Sequence, residues 1–225
     1  MNLADMEAGL NRIVRDSELA KNFTAQINAA ILEIATDFDL PALKTITPLS
    51  LPVTTAAWLY DLPAEYHKGL YRCLNGAWET VVIKRDLDAL NGMDPDHDES
   101  ETRVTHVGVS DTGESKKIAT YPKANDTLYL YCYEKPAVLA NPADVCVCIP
   151  AAYHERVILS KCIIKNFEVF LDSIEDGPMK SVMYWKARYR EAMFGEIHGD
   201  IGLINYLVKA SRKRPQRHGG RDPLP

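Results

Sequence analysis

The sequence predicts an α+β protein: a helical bundle formed by N-terminal helices and a C-terminal helical hairpin, with an inserted antiparallel β-rich region. Two observations predict this class. Apolar residues recur at helical spacing near both chain ends, whereas the middle of the chain alternates short strand-like segments with turn signals. The predicted parts are residues 1–42 for the N-terminal helices, 43–148 for the β-rich insertion, 149–210 for the hairpin and 211–225 for a basic tail.

The C-terminal hairpin is the most strongly patterned part of the chain. Its first half, from Ile149, places apolar residues at Tyr153, Val157, Ile164, Phe167 and Leu171. Its second half, up to Lys209, repeats the spacing at Val182, Trp185, Tyr189, Met193 and Ile197. Gly177-Pro178 predicts the break between the halves, because glycine tolerates the left-handed turn that ends a helix and proline can begin one. Such a short break favours antiparallel helices.

Two amphipathic helices are predicted at the N-terminus. Their apolar stripes are Leu3, Met6, Leu10 and Ile13 in the first helix, and Phe23, Ile27, Ile31, Ile34 and Phe38 in the second. Asp16 or Ser17 can cap the second helix, which ends before Pro41 because proline disfavours helix at the preceding residue. Since both stripes need an apolar partner, we expect these helices to pack against the C-terminal hairpin.

Prolines and turn dipeptides divide the middle region into short strands. The predicted strands are 55–61, 69–74, 77–84, 103–110, 116–121 and 127–134, with a single helical turn at 86–90. Asn75-Gly76 is the strongest hairpin signal, because both residues accept positive φ. In the last strand, leucine and cysteine alternate with tyrosine at residues 128–133, which predicts one apolar and one aromatic face.

Composition and charge exclude several classes. The 225 residues are 46% hydrophobic and 25% charged with a net charge of −5, which argues against a general nucleic-acid-binding protein. Asp5 and Glu7 occupy the place where a signal peptide would be basic, and no apolar run approaches the roughly 20 residues that a bilayer requires. We therefore expect synthesis in a cytosol-like compartment. Five cysteines, an odd and sparse number, argue against a disulfide scaffold.

An acidic stretch is the first candidate for a metal site. It contains Asp94, Asp96, Asp98, Glu99 and Glu101 beside His97. An EF-hand calcium loop would need glycine where Glu99 stands and glutamate where Thr105 stands. The pattern therefore favours a solvated acidic loop.

The cysteines are the second candidate. Cys146 and Cys148 are expected on a strand with both thiols on one side, and Cys132, Cys162 and His154 could complete a zinc site only if the fold brought them together. The usual C-x-x-C spacing is missing, so buried apolar thiols are favoured. No nucleophile motif accompanies the scattered histidines. We expect no catalytic residue, no metal and no cofactor.

The last residues form a basic tail. Arg212, Lys213, Arg214, Arg217 and Arg221 stand against a single Asp222, so the body before them is acidic. With almost nothing apolar, the tail is expected to be disordered on its own. Three roles stay open: a solubilising end, a phosphate contact whose affinity falls with salt, and a docking arm that folds on an acidic partner.

Four segments point together to one family. They are Gln26-Ile-Asn28, YDLPAEYHKGL at 60–70, IATYPKANDTLYLYCYEKPAVLANPAD at 118–144 and IPAAYHERVILSKCIIKNFEVF at 149–170. In this order, followed by a helical hairpin, they resemble the head-to-tail adaptor (connector) proteins of short-tailed bacteriophages. The resemblance covers residues 3–205. It rests on segments that are typical of a fold rather than on catalytic residues.

The resemblance implies a structural virion protein rather than an enzyme. It would form a dodecameric ring in the neck, between the portal protein and the tail nozzle or tail tube protein, around a channel through which DNA passes without specific binding. It would be made in the host cytoplasm and would need no membrane. The basic tail would dock on the portal through Arg212, Lys213, Arg214, Arg217 and Arg221. Loops 94–101 and 111–114 would contact the tail protein or face solvent.

Two other functions stay open on the sequence. One is a small intracellular nucleic-acid-binding protein that uses the basic tail, which salt-dependent DNA binding would support. The other is an enzyme with a Cys/His site, which loss of activity on alkylation of Cys146 or Cys148 would support.

Overall fold

The computed structural model describes residues 1–14, 22–84, 86–110, 116–171, 177–195 and 202–212, and the description excludes the side chains of 167–181 and 209–212. The chain divides into two compact units. The helical unit comprises residues 1–31 and 138–225, and the sheet unit comprises residues 32–137. None of the described helices is both long enough and apolar enough to span a membrane.

The helices occupy both ends of the chain and one crossover in its middle. The α-helices among the described residues are α1 (Leu3–Val14), α2 (Phe23–Asp37), α3 (Asp88–Asn91), α4 (Ser160–Leu171), α5 (Gly177–Phe194) and α6 (Leu203–Arg212). Short 3-10 helices lie at Pro41–Leu43 and Ala151–Tyr153, and a π-helix at His154–Leu159 runs directly into α4.

The sheet unit contains seven strands among its described residues. They are β1 (Leu49–Val53), β2 (Leu59–Asp61), β3 (Tyr66–Leu74), β4 (Thr80–Lys84), β5 (His106–Ser110), β6 (Lys117–Tyr121) and β7 (Asp126–Glu134). Their order in the sheet is β1-β7-β3-β4-β5-β6-β2. The β4–β5 pair is parallel and the other pairs are antiparallel, so the sheet is mixed.

The predicted fold class is wrong. The chain is not a helical bundle with an inserted antiparallel region, because its seven strands form one mixed sheet that closes into a nearly complete barrel. Local sequence patterns identify strands but not their partners or direction. The parallel β4–β5 pair became possible because a long crossover, which contains α3, separates the two strands. The twist of the paired strands then curls the sheet towards closure.

A tyrosine hydroxyl links the two ends of the sheet. Strands β1 and β2 stand at opposite ends of the strand order. The hydroxyl of Tyr60 in β2 accepts a hydrogen bond (2.8 Å) from the amide of Thr54, the residue that directly follows β1. The same hydroxyl lies 2.6 Å from the Thr54 carbonyl oxygen. This side chain therefore bridges a gap that no backbone ladder spans among the described strands.

Strand β1 was missed by the sequence analysis, and the turn of the predicted hairpin is longer than expected. Pro52 lies within β1, which has only one neighbour in the sheet, and an edge strand tolerates the missing N–H of proline. The β3–β4 hairpin predicted at Asn75-Gly76 is confirmed, with a longer turn in which Trp78 rather than glycine takes positive φ (63°). The Asn75 Oδ1 atom stabilises this turn by accepting the amides of Ala77 and Glu79.

The predicted alternation along β7 is confirmed. Leu128, Leu130 and Cys132 are buried in the core of the sheet unit, and the tyrosines between them are only half-buried. The core cluster around Leu128 and Leu130 also contains Val53, Cys73, Val81, Val104, Val107, Ile118 and Ala124. The strand therefore separates an apolar interior from an aromatic outer face.

In the helical unit, α1 packs its apolar residues against the start of the C-terminal helices. Leu3, Met6 and Leu10 of α1 are buried, and α1 contacts both the π-helix and α4. His154 in the π-helix is completely buried, with Nδ1 3.1 Å from the Met1 carbonyl oxygen and Nε2 2.7 Å from that of Ile149. These contacts hold the first residue of the chain beside the start of the C-terminal helices.

The second helix of the predicted hairpin is divided in two. It was expected to run through Ile197 to Lys209, but α5 ends at Phe194 and α6 begins at Leu203. The reason is Gly195, whose φ of 72° is the left-handed conformation that commonly ends a helix. Ile197 and most of the break at 174–178 lie outside the described residues.

A glycine in β5 should be essential for packing the crossover on the sheet. A Cβ atom at Gly108 would lie 2.7 Å from the Asp86 carbonyl oxygen and 3.1 Å from Leu90 Cδ1. We expect Gly108→Ala to destabilise the protein by about 1–3 kcal/mol. The matched control is Gly92→Ala, where a Cβ would meet only ordinary contacts from 3.6 Å. Urea denaturation of both variants checks this, and equal stabilities would contradict it.

His67 should make the sheet unit sensitive to acid. The residue is 6% exposed, and burial, followed by Lys116 and Lys68, lowers its pKa. The pKa of His67 in the folded state lies below its value near 6.5 in the unfolded state. His67 therefore contributes stability above that pH, and this contribution is lost as pH falls through the folded pKa. We expect the free energy of unfolding to fall less on acidification in His67→Gln than in the wild type. Parallel curves in urea titrations would contradict this.

Candidate interaction surface

The predicted docking residues lie at and beyond the end of the described chain. Arg212 is the last residue of α6, and Lys213, Arg214, Arg217 and Arg221 lie outside the described residues. Their role in docking therefore stays a prediction.

The acidic stretch is better ordered than a solvated loop. Asp94 is 6% exposed, and its carboxylate accepts the amides of Asp98 (3.4 Å) and Glu99 (3.2 Å). His97 takes positive φ (51°) and stacks on Trp58 with the ring centroids 3.7 Å apart. The expectation of full solvation is therefore wrong for Asp94, which turns its charge inward to hold the loop.

The other end of the acidic stretch is fixed to β6 and the residues after it. Backbone hydrogen bonds join Glu101 N to Lys123 O (2.9 Å) and Lys123 N to Glu99 O (3.0 Å). The Glu99 carboxylate accepts the Tyr121 hydroxyl at 2.6 Å, and this bond raises the pKa of Tyr121 to about 12. We call residues 86–101 the acidic crossover. It carries seven acidic residues and no basic residue.

The acidic crossover contains the first candidate for a metal site that the sequence offered. Within the residues that the structure describes, no group of His, Cys, Asp and Glu side chains is arranged to hold a metal ion. Asp94 already uses its carboxylate on two backbone amides. The arrangement instead presents the remaining carboxylates outward as a charged surface.

The cysteines are all buried, and two of them touch. Cys146 and Cys148 lie on an irregular segment rather than the predicted strand, with their sulfur atoms 3.4 Å apart. The strand prediction is wrong because this segment has no strand partner; Val145 alone forms a β-bridge, an isolated one to Asn2. A hydrogen bond from the Cys148 thiol lowers the pKa of Cys146 to about 7, and the same contact, with burial, raises the pKa of Cys148.

An aromatic and basic surface covers the outer side of β3 and β7. We call it the tyrosine face; its residues are Lys44, Lys68, Tyr71, Arg72, Tyr131 and Tyr133. The β7 alternation turns the tyrosines outward, and the pairing register places Arg72 opposite Tyr131 and Lys68 opposite Tyr133. The sequence pattern predicted the aromatic half of this surface, but the basic half depends on strand pairing.

Each cation of the tyrosine face lies over an aromatic ring. The Lys44 ammonium lies 5.2 Å from the Tyr71 centroid and 5.5 Å from that of Tyr133, and the Arg72 guanidinium lies 5.3 Å from the Tyr131 centroid. These distances fall within the range in which the ring quadrupole attracts a cation. The rings therefore orient both positive groups at the surface.

Among the residues that the structure describes, only Lys68 of the three cations also has a carboxylate partner. Lys68 bridges to Asp39 at 3.1 Å and donates to the carbonyls of Thr36 and Phe38, so it caps the end of α2. Lys44 and Arg72 are exposed and have no carboxylate partner in the described part of the chain. They are therefore the groups of this face that can bind a negatively charged partner.

A stacked pair extends the aromatic surface along β7. Trp78 is 58% exposed and stacks on Tyr129 with centroids 4.4 Å apart. Asp126 positions the neighbouring loops, because its carboxylate accepts the amides of Gly76 (2.9 Å) and Val104 (3.2 Å). An exposed tryptophan held in this way is typical of a contact surface rather than of a core.

Truncation should separate the residues that hold the fold from those that are available for binding. We expect Asp126→Ala to cost about 2 kcal/mol, because two backbone amides lose their acceptor. Lys44→Ala and Arg72→Ala should each cost less than about 1 kcal/mol, since exposed cation–π contacts are weak. Urea denaturation measures all three. A large loss in either cation variant would show that these residues stabilise the fold instead.

Comparison with known protein families gives a match over almost the whole chain. A family model described as "SU10 adaptor protein" matches residues 1–217. The match includes α6 and the first part of the basic tail. No curated protein matches the chain.

Proposed function

The chain belongs to the SU10 adaptor protein family, as its resemblance to head-to-tail adaptors predicted, and from this membership we propose that it forms a ring between the portal and the tail of a phage particle. The family is one of structural phage adaptors and not of enzymes. The match over residues 1–217 is the observation that carries the proposal. The adaptor role places the protein in the virion neck, where it meets portal and tail components.

The charge of the sheet unit supports a role beside a DNA channel. Residues 32–137 contain 17 acidic and 10 basic residues. A wall with a negative potential repels phosphates, so DNA slides past it without being held. In the ring that we propose, DNA therefore passes through the channel without specific binding, and the tail nozzle or tail tube protein lies on the side away from the portal.

The basic tail supports attachment to the portal. Its cations, Arg212, Lys213, Arg214, Arg217 and Arg221, stand beside a single acidic residue, Asp222. A basic segment with few apolar residues can fold on an acidic partner surface, and electrostatic attraction speeds the encounter. We therefore assign the contact with the portal to residues 211–225.

Deleting residues 211–225 should abolish assembly on the portal without unfolding the protein. The wild-type chain, mixed with purified portal rings, should give neck rings in electron-microscope images, and the deletion variant should stay a folded monomer. Because Arg212 ends α6, a second deletion of 213–225 leaves that helix intact. Unchanged assembly of both deletion variants would refute portal docking by the tail.

A charge control separates docking from simple loss of chain. A full-length variant with Arg212, Lys213, Arg214, Arg217 and Arg221 changed to glutamine keeps the length of the tail but not its charge. It should fail to assemble as the deletions do, and raised salt should weaken wild-type assembly. If the wild-type chain bound DNA in a tail-dependent manner and ignored portal rings, the nucleic-acid-binding alternative would replace this proposal.

A further inference from the structure

Two surfaces of opposite charge lie on opposite sides of the sheet unit. The tyrosine face covers the outside of β7 and β3, which occupy the second and third positions in the strand order. The acidic crossover packs on β5 and β6, the fifth and sixth positions. In a nearly closed barrel of seven strands, three positions correspond to almost half the circumference. The two surfaces therefore point away from each other.

The position of the crossover outside the barrel follows from β5 itself. Val107 and Val109 of β5 belong to or pack on the core cluster, so Gly108 between them faces outward. Above Gly108 lie the Asp86 carbonyl and the Leu90 side chain, both from the crossover. The crossover is thus displayed on the outer surface rather than folded into the barrel.

The acidic crossover holds its charges in a fixed arrangement. The inward hydrogen bonds of Asp94 and the stacking of His97 on Trp58 hold the loop on both sides of Asp96. The side chains of Asp96 and Asp98 are exposed and have no basic partner in the ranges that the structure covers. A preorganised loop of this kind loses little conformational freedom on binding.

We propose that the tyrosine face of one copy binds the acidic crossover of the next copy around the ring; this inference rests on the proposed ring. Lys44 and Arg72 meet the carboxylates of Asp96 and Asp98, and the tyrosine rings supply the apolar contact area around them. An arginine held over a ring can bind a carboxylate through two parallel hydrogen bonds. Tyrosine and arginine are also the residue types enriched at protein interfaces.

The geometry of the two surfaces suits a closed ring. A contact between two different patches is heterologous, and repetition of such a contact gives a ring when the rotation between copies closes. A second copy fits the tyrosine face better than DNA does, because the sheet unit has 17 acidic residues against 10 basic ones and repels a nucleic acid at long range. The acidic crossover of another copy brings its carboxylates already positioned.

Charge reversal on each surface tests the proposal. One variant carries Lys44→Glu and Arg72→Glu, and the other carries Asp96→Lys and Asp98→Lys. Each alone places like charges in every contact between copies, so we expect the yield of portal-bound rings to fall by at least about tenfold. A 1:1 mixture of the two variants should restore rings in which they alternate, because each reversed surface then meets an opposite charge.

The mixture also serves as the test of folding, since a variant that fails to fold cannot be rescued by its partner. A matched control, Arg12→Glu with Arg190→Glu, makes the same change in net charge at exposed positions of the helical unit, outside both surfaces, and should assemble like the wild type. If wild-type rings form and the Lys44→Glu, Arg72→Glu variant forms them equally well, the inference is overturned while the proposed function stands.

Other results would also overturn it. If the reversed variants stay unassembled when mixed, charge complementarity is not the cause of their defect. If the Lys44→Glu, Arg72→Glu variant forms rings but loses retention of duplex DNA, the tyrosine face binds nucleic acid instead. If the wild type forms no ring with the portal, the proposed function itself fails and this inference fails with it.

Discussion

The two-residue period of β7 is the constraint on which the sheet unit depends. Because successive side chains of a strand point to opposite faces, the same nine residues place Leu128, Leu130 and Cys132 in the core and three tyrosines on the outside. β7 also pairs with β1 on one side and β3 on the other. A register slip of one residue would turn the tyrosines inward and expose the leucines, so core packing fixes the outer face as well.

The crossover between β4 and β5 does more than connect the two strands. Its length allows the one parallel pair among the described strands, and the bare backbone of Gly108 lets it lie directly on β5. Burying the Asp94 carboxylate against two amides then fixes the loop. The other carboxylates of the acidic crossover lie together on its outer side, where a binding partner can contact them.

In the ring that we propose, the adaptor binds its neighbours and leaves DNA unbound, and the distribution of charge in this chain suits both requirements. The acidic body repels phosphates, whereas the tyrosine face and the basic tail each bring several cations together. Exposed ion pairs are individually weak. Specific assembly by such contacts therefore relies on their repetition around the proposed ring of copies, and on tyrosine side chains and loops that are already held in position. A structural role of this kind needs no catalytic group.

The sequence by itself determined the local features of this protein. It predicted helices at both chain ends, most of the strands, the alternation of β7 and the family, because these depend on residue spacing and on short quoted segments. It could not determine strand order, the parallel β4–β5 pair or near-closure into a barrel, because pairing energies depend on residues far apart in the chain.

The tertiary structure alone decided which charged groups stand together. Lys44 and Arg72 are distant in sequence from the tyrosines under them, and only strand pairing brings them onto one face. The acidic stretch looked uniformly solvated because composition does not show that Asp94 has backbone donors within reach. The alternation of side chains along a strand depends only on neighbouring residues. The group that a charged side chain meets depends instead on how distant segments of the chain pack together.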